Sequence, residues 1–339
     1  NVLHAQLDAL EADQAAARQD MADTQRVLTE EIQRQDREKI ESLVRVQEAN
    51  REKSLLPVRH KNRDFFLADL LDYAMKDDGI SMEQPIFTLA TKPDLSIWSW
   101  SSKDGDRQIR VTPSVLGRAT QLDKDVLIYV ISQITAALNL NAAAERKGKQ
   151  APRPDVKNRT VRFRVYDYLV TTNRGVGGRD YKELQKAFER LRGTTITTDI
   201  KTGGMLVKDT FGIIERAKIV VNQHSDDDKM QAVEVTISEW LYNAVQAYEV
   251  LTIHPDYFRL RKPLERRLYE LARKFCGKQP QWTISLKQLL ERAGSKGTLR
   301  EFRRMLKDIA GVQTLPEYLF QLDEARDMVI FTRKDQLLP

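Results

Sequence analysis

The sequence predicts an α+β fold: two tandem winged-helix domains, each a helix-turn-helix closed by a β-hairpin, preceded by a long N-terminal helix. Three observations predict it. Residues 281–308 read as a short strand, a short helix, a glycine-bounded turn and a second, capped helix. The same order, followed in both cases by a β-hairpin pattern, begins earlier at Val161, although no residue-level repeat is evident. Residues 1–53 contain no Gly, Pro, Phe, Trp or Tyr, which is the composition of a long helix. The expected domains are therefore residues 1–53, 54–225 and 226–339, the last carrying the helix-turn-helix of residues 281–308.

Along the N-terminal helix, Leu3, Leu7, Leu10, Ala17, Met21 and Leu28 follow a 4-3 spacing that Gln14 and Thr24 interrupt, which fits either a loose coiled-coil seam that would serve dimerisation or a solvated single helix. Pro57 ends this helix. FFLADLLDYA from Phe65 reads as a short apolar helix, with Ile86–Ala90 and Leu95–Trp100 as strands. Thr120 and Asp123 open a helix running to about Leu140 on a core stripe that includes Val126, Val130 and Ile134. A polar, proline-bearing loop follows. Val161, Phe163 and Val165 alternate as a strand, Tyr166 to Thr172 forms a short helix, and Asp180 with Glu183 caps the next. Strands are expected over Thr194–Ile200 and Phe211–Val221, and NQHSDDDKM is expected as an acidic loop between the two domains.

In the C-terminal unit, Thr298 is the expected cap and Glu301 its capping-box partner. At about 100° per residue, Leu299, Phe302, Leu306 and Ile309 share one stripe while Arg300, Arg303, Arg304 and Lys307 fall on the far side. Four cations so close repel one another unless a polyanion neutralises them. The chain as a whole, with 55 basic and 49 acidic residues in 339 and a formal net charge of +6, favours an acidic partner chiefly through where its cations cluster. The lone Cys276 excludes an intramolecular disulfide and points to a reducing cytoplasm. With neither an 18-residue apolar run nor a signal-peptide pattern, no membrane association is expected.

Catalytic chemistry is not indicated. The G-x-x-x-x-G-K-[ST] phosphate loop is missing, and Gly175, Gly177 and Gly178 lack the rest of a dinucleotide fingerprint. His4, His60, His224 and His254 stand apart, so no local zinc motif or paired-histidine nicking site can be built, and Asp226, Asp227 and Asp228 sit in a polar loop. The expectation is a protein that is not an enzyme, with no catalytic residue, metal or cofactor.

From about Ser54 to Lys334 the chain resembles the plasmid replication initiator protein A family, through FFLADLLDYAMKDD, SIWSWSSKDG, LIYVISQI, GRDYKELQKAFERLRGTTITT, FGIIERAKI, EWLYNAVQ, LTIHPDYFRLRKPLERRLYELARK and TLREFRRMLK. The resemblance implies an initiator with two winged-helix domains. Such a protein binds repeated double-stranded sites (iterons) at a plasmid origin, assists melting of adjacent A·T-rich DNA and recruits the host DnaA protein and DnaB helicase. Carried onto this sequence, it makes Arg300, Arg303, Arg304 and Lys307 the candidates for reading bases, and Lys296 and Thr298 candidates for contacting the DNA backbone. GRDYKELQKAFERLR is the corresponding element of the first domain, so Arg179, Lys182, Lys186 and Arg190 are further backbone candidates. Two other readings compete: a winged-helix transcriptional repressor without a replication role, and a nicking or priming enzyme.

Overall fold

The computed structural model describes residues 45–59, 65–67, 86–101, 105, 107–152, 159–202, 205–221, 230–247, 251–277 and 279–336, with 19, 21, 23–27, 31 and 34. By its contacts the chain forms two compact units, Asn1–Lys53 and Ser54–Pro339. In the first, residues 23–27 and 45–53 are helical; most of the expected coiled-coil seam lies outside the described residues.

The second unit repeats one arrangement. Helix α1 (Lys124–Glu145) precedes strand β4 (Thr160–Arg164), α2 (Val165–Thr171), α3 (Gly178–Gly193) and the hairpin β7 (Ile214–Val221) and β8 (Met230–Ile237). Beyond α4 (Glu239–Ala247), helix α5 (Pro263–Cys276) precedes β10 (Gln281–Ser285), α6 (Leu286–Ala293), α7 (Leu299–Val312) and the hairpin β11 (Tyr318–Asp323) and β12 (Met328–Arg333). The sheets match too: β4-β8-β7 in the first set and β10-β12-β11 in the second, both antiparallel. The first set carries an insertion, the hairpin β5 (Thr195–Thr202) and β6 (Met205–Gly212). It joins β2 (Trp98–Ser101) and β3 (Arg107–Thr112) in a sheet ordered β2-β3-β5-β6. β1 (Phe65–Leu67) pairs with β9 (Leu251–Ile253).

Strand and helix periodicities explain these elements. In β4, Val161 and Phe163 are buried while Arg162 and Arg164 are exposed, the alternation a half-buried strand requires. α1 buries Val126, Val130 and Ile134, and it runs to Glu145 rather than Leu140. Among the described residues, α1 is also the helix long and apolar enough to cross a membrane, with 56% of its apolar window buried inside the body.

Several expectations are corrected. The boundary at residues 225/226 would cut the hairpin β7–β8, since β8 pairs with both β4 and β7; residues 230–237 therefore belong with the first set. Phe65–Leu67 is a strand, because its partner β9 supplies backbone partners that a local reading cannot see; residues 68–85 lie outside the described residues. Phe211–Val221 is divided at Ile213 between β6 and β7, which lie in different sheets. Asp180 sits within the first turn of α3, whose cap position is Gly177, and makes no capping bond.

The two sets share a buried polar contact. Asp125, at the start of α1, is 0% exposed and lies 2.5 Å from Arg266 on α5 and 2.9 Å from Arg174. Glu270 on α5 accepts from Gln121 at 2.5 Å, Lys124 at 2.8 Å and Tyr257 at 2.7 Å. Burial alone would raise the Glu270 carboxyl, but Lys124 and Arg267 hold it below the ordinary carboxylate value. A strap over residues 55–59 adds to this contact. Leu56 exchanges hydrogen bonds with Arg259 through its N–H at 2.9 Å and its carbonyl at 2.8 Å, and Arg59 donates to Asn173 at 2.7 Å.

Candidate nucleic-acid interface

The start of α7 is fixed by its own sequence. The Thr298 hydroxyl accepts from the Glu301 N–H at 3.3 Å, and the Glu301 carboxylate accepts from the Thr298 N–H at 2.8 Å, a reciprocal box that satisfies two end amides. Those bonds from Thr298 hold the Glu301 carboxyl below its ordinary value. Phe302, Leu306 and Ile309 bury one face. Leu299, expected in the same stripe, is 36% exposed, because the first turn projects beyond the core.

The far end is held as firmly. Gln313, in the left-handed region at φ 54°, donates to the Phe320 carbonyl at 2.7 Å and accepts from the Phe320 N–H at 3.0 Å. The neighbouring Thr314 donates to Glu265 on α5 at 3.0 Å, and Arg267 on α5 donates to the Arg292 carbonyl on α6 at 2.8 Å. Helix, turn and hairpin are thereby set in one orientation.

The four cations on the outer face of α7 are not equivalent. Arg303 lies 2.6 Å from Asp327 and Lys307 lies 2.8 Å from Glu324, both acids belonging to the turn of the β11–β12 hairpin. Arg300 and Arg304 are exposed, and among the described residues neither makes a hydrogen bond or ion pair, although the Arg304 charge acts on Glu301. Two planar forks therefore face solvent on a rigid helix, flanked by two cations tethered to the hairpin.

A model of the family "Replication initiator protein A" matches residues 76–320. The chain belongs to the replication initiator protein A family. A relative from Wigglesworthia glossinidia brevipalpis, described as "Putative replication protein", is 33% identical over 285 residues, covering 83% of this chain and 98% of the relative. The crystal structure of domains 2 and 3 of RctB has a similar fold, with a TM-score of 0.51 at 14% identity over 75% of this chain and 96% of that one. A second RctB structure, of residues 155–483, has a TM-score of 0.48 at 11% identity over 75% and 97%. A role in the initiation of replication follows from the family.

Within this replication initiator, the other residues singled out by sequence fall in different places. Thr298 caps α7, so its hydroxyl is engaged. Lys296 is exposed but paired: its ammonium lies 2.6 Å from Asp94 and 2.5 Å from Ser96. Burial would raise the Asp94 carboxyl, but hydrogen bonds from Lys296, Ser96 and Thr88 hold it far below the usual range. Arg190 is equally committed, forming two bonds of 2.7 Å to Asp123. On α3, Arg179 and Lys182 are exposed, while Lys186 is paired with Glu183 at 3.0 Å.

Sequence reasoning missed Asp125, Arg174, Arg266 and Glu270, which join the two repeated sets of this initiator, and Asp94, which ties Lys296 to the segment before α1. One signal was present: Arg266 and Glu270 stand four residues apart on the same side of α5 as buried Tyr269. Trp282 is partly buried and packs against the core, stacking on Phe275 at 4.7 Å and on Phe331 at 5.1 Å between ring centroids. Burial pushes the Cys276 thiol up to about 11, which keeps it protonated and unreactive.

Proposed function

We propose that this replication initiator binds duplex DNA through two tandem winged-helix units, residues 124–237 and 263–333, with α7 in the major groove and the β11–β12 turn against the backbone. One observation carries the reading: Arg300 and Arg304, without a partner among the described residues, project from a helix fixed at both ends. Guanidinium forks of this kind bridge O6 and N7 of guanine, and a rigid helix keeps them in register with the base edges. The matching element of the first unit, α3, has Arg179 and Lys182 exposed beside Glu183 and Glu189, which suits phosphate contact more than base reading.

The action proposed is occupation of repeated sites at a plasmid origin, bending that helps neighbouring A·T-rich DNA to melt, and recruitment of host DnaA and DnaB, with control of the protein's own promoter as a secondary effect. It acts in the cytoplasm by binding alone, as monomer or homodimer. Footprinting of the full chain on origin DNA is the test, with a salt titration beside it. Protection of tandem sites and a steep fall of log K with log salt, matching roughly six or more neutralised phosphates, are expected. An unprotected origin would reject the reading. A protected promoter on a plasmid whose replication does not need this protein would leave a repressor instead, and a covalent DNA adduct formed with Mg²⁺ would leave a nicking enzyme.

A further inference from the structure

The cations of the first set do not form a flat surface. A recess of about 290 Å³ opens between residues 90–93, residues 116–123 and the outer side of α3. Its wall includes Lys92, Arg118, Arg174, Arg179 and Arg190 against two acids, Asp123 and Glu183. Most of the pairings are internal. Arg190 is taken by Asp123, Arg174 by Asp125 at 2.9 Å, and Glu183 by Lys186 at 3.0 Å. Lys92 and Arg179 are exposed, and among the described residues neither has a hydrogen bond or ion pair.

Arg118 is the unusual member. It is 2% exposed, yet its Nε and Nη1 have no acceptor among the described residues. Its one ion pair, Nη2 to Asp94 at 3.4 Å, is long, and Asp94 is already shared among Lys296, Ser96 and Thr88. Desolvation consequently pushes the guanidinium below its ordinary value despite Asp94. The chain holds Arg118 there deliberately in backbone terms: Gly117 has φ +91°, and a Cβ at that position would stand 2.8 Å from the Asp94 nitrogen, so only glycine lets the two loops meet. A buried guanidinium with unmade donors is costly unless an acceptor joins it.

We propose that this recess binds a phosphate group, with Arg118 at its back and Lys92 and Arg179 at its rim. A phosphate brings one negative charge as a backbone diester or close to two as a monoester, with several acceptor oxygens, the complement of three cations that lack full partners among the described residues. The recess is open on one side and admits a phosphate from a free monoester or from the backbone of bound duplex DNA, and the two sources share this chemistry.

The test uses the full chain, with inorganic phosphate and adenosine monophosphate as probes at an ionic strength held constant with chloride. Calorimetry and thermal melting should show saturable binding and a rise in Tm with either probe. Lys92→Ala with Arg179→Ala, both at exposed positions, should leave the melting point without phosphate unchanged and weaken phosphate binding about tenfold or more. Arg118→Lys, which keeps the charge but loses the fork, should weaken it as well. If chloride alone reproduces the rise, or the double variant binds phosphate undiminished, the site does not exist. If a saturating duplex displaces the probe, the phosphate comes from the backbone; if duplex and probe bind together, it comes from a free monoester.

Discussion

Arginine and its partner decide what each position on the outer face of α7 can contribute. A surface ion pair is worth about 0–1 kcal/mol, so the ties of Arg303 to Asp327 and Lys307 to Glu324 can yield to a phosphate without a large penalty. They nevertheless place carboxylates where a polyanion would lie. Asp327→Asn should therefore tighten binding to specific and random DNA alike while shifting stability by no more than about 0.5 kcal/mol, measured by paired binding titrations and urea melts. Arg300→Ala or Arg304→Ala should each cost about 1–3 kcal/mol of binding to the specific site and relax base preference there. An equal loss on random DNA would reassign that residue to phosphate contact. Arg190→Ala, by contrast, removes both bonds to Asp123 and should lower stability, because Asp123 is 3% exposed and would be left with an uncompensated charge.

At the scale of the element, α7 depends on its caps. Thr298→Ala removes the hydroxyl that accepts from Glu301 and should cost about 1 kcal/mol of stability, read from the urea midpoint, with Thr298→Ser restoring most of it. This element was legible because everything that defines it is local: a capping pair three residues apart and an apolar stripe of helical period. The order of elements was legible for the same reason. The partner of β4 was not. Two hairpins follow α3, and only long-range pairing determines that β7–β8 joins β4 while β5–β6 joins β3. The acidic stretch at 222–229, read as a connection between domains, falls between paired strands of one hairpin. Lys296 and Arg190 read as unpaired cations because their acids, Asp94 and Asp123, are 202 and 67 residues away. Proximity in the fold, which periodicity does not encode, pairs both of them with buried acids.

Across the whole of residues 54–339, the two repeated sets are joined by buried charge as well as by chain, which sets the spacing between α3 and α7 and, on the proposed reading, the DNA geometry that would fit both. Breaking a buried pair is expensive because the remaining charge stays desolvated. Arg266→Met should destabilise the protein by about 3 kcal/mol, somewhat moderated by Arg174, which also faces Asp125. The same contact makes stability depend on pH. Glu270 and Asp94 both have carboxyls lowered in the folded state, from ordinary values of 4.5 and 3.8. Groups depressed in this way stabilise the fold fully above the unfolded value and lose that contribution as pH falls through the folded one. Urea midpoints should therefore be flat in this respect above about pH 5 and decline progressively below it. Glu270→Gln should be less stable at neutral pH, since Lys124 and Arg267 lose their counter-charge, and its decline in acid should be shallower. Parallel pH curves for the variant and the parent would show that Glu270 does not couple the sets. If the curves converge in acid, DNA affinity should fall with them, because the two helices would no longer be held at a fixed separation.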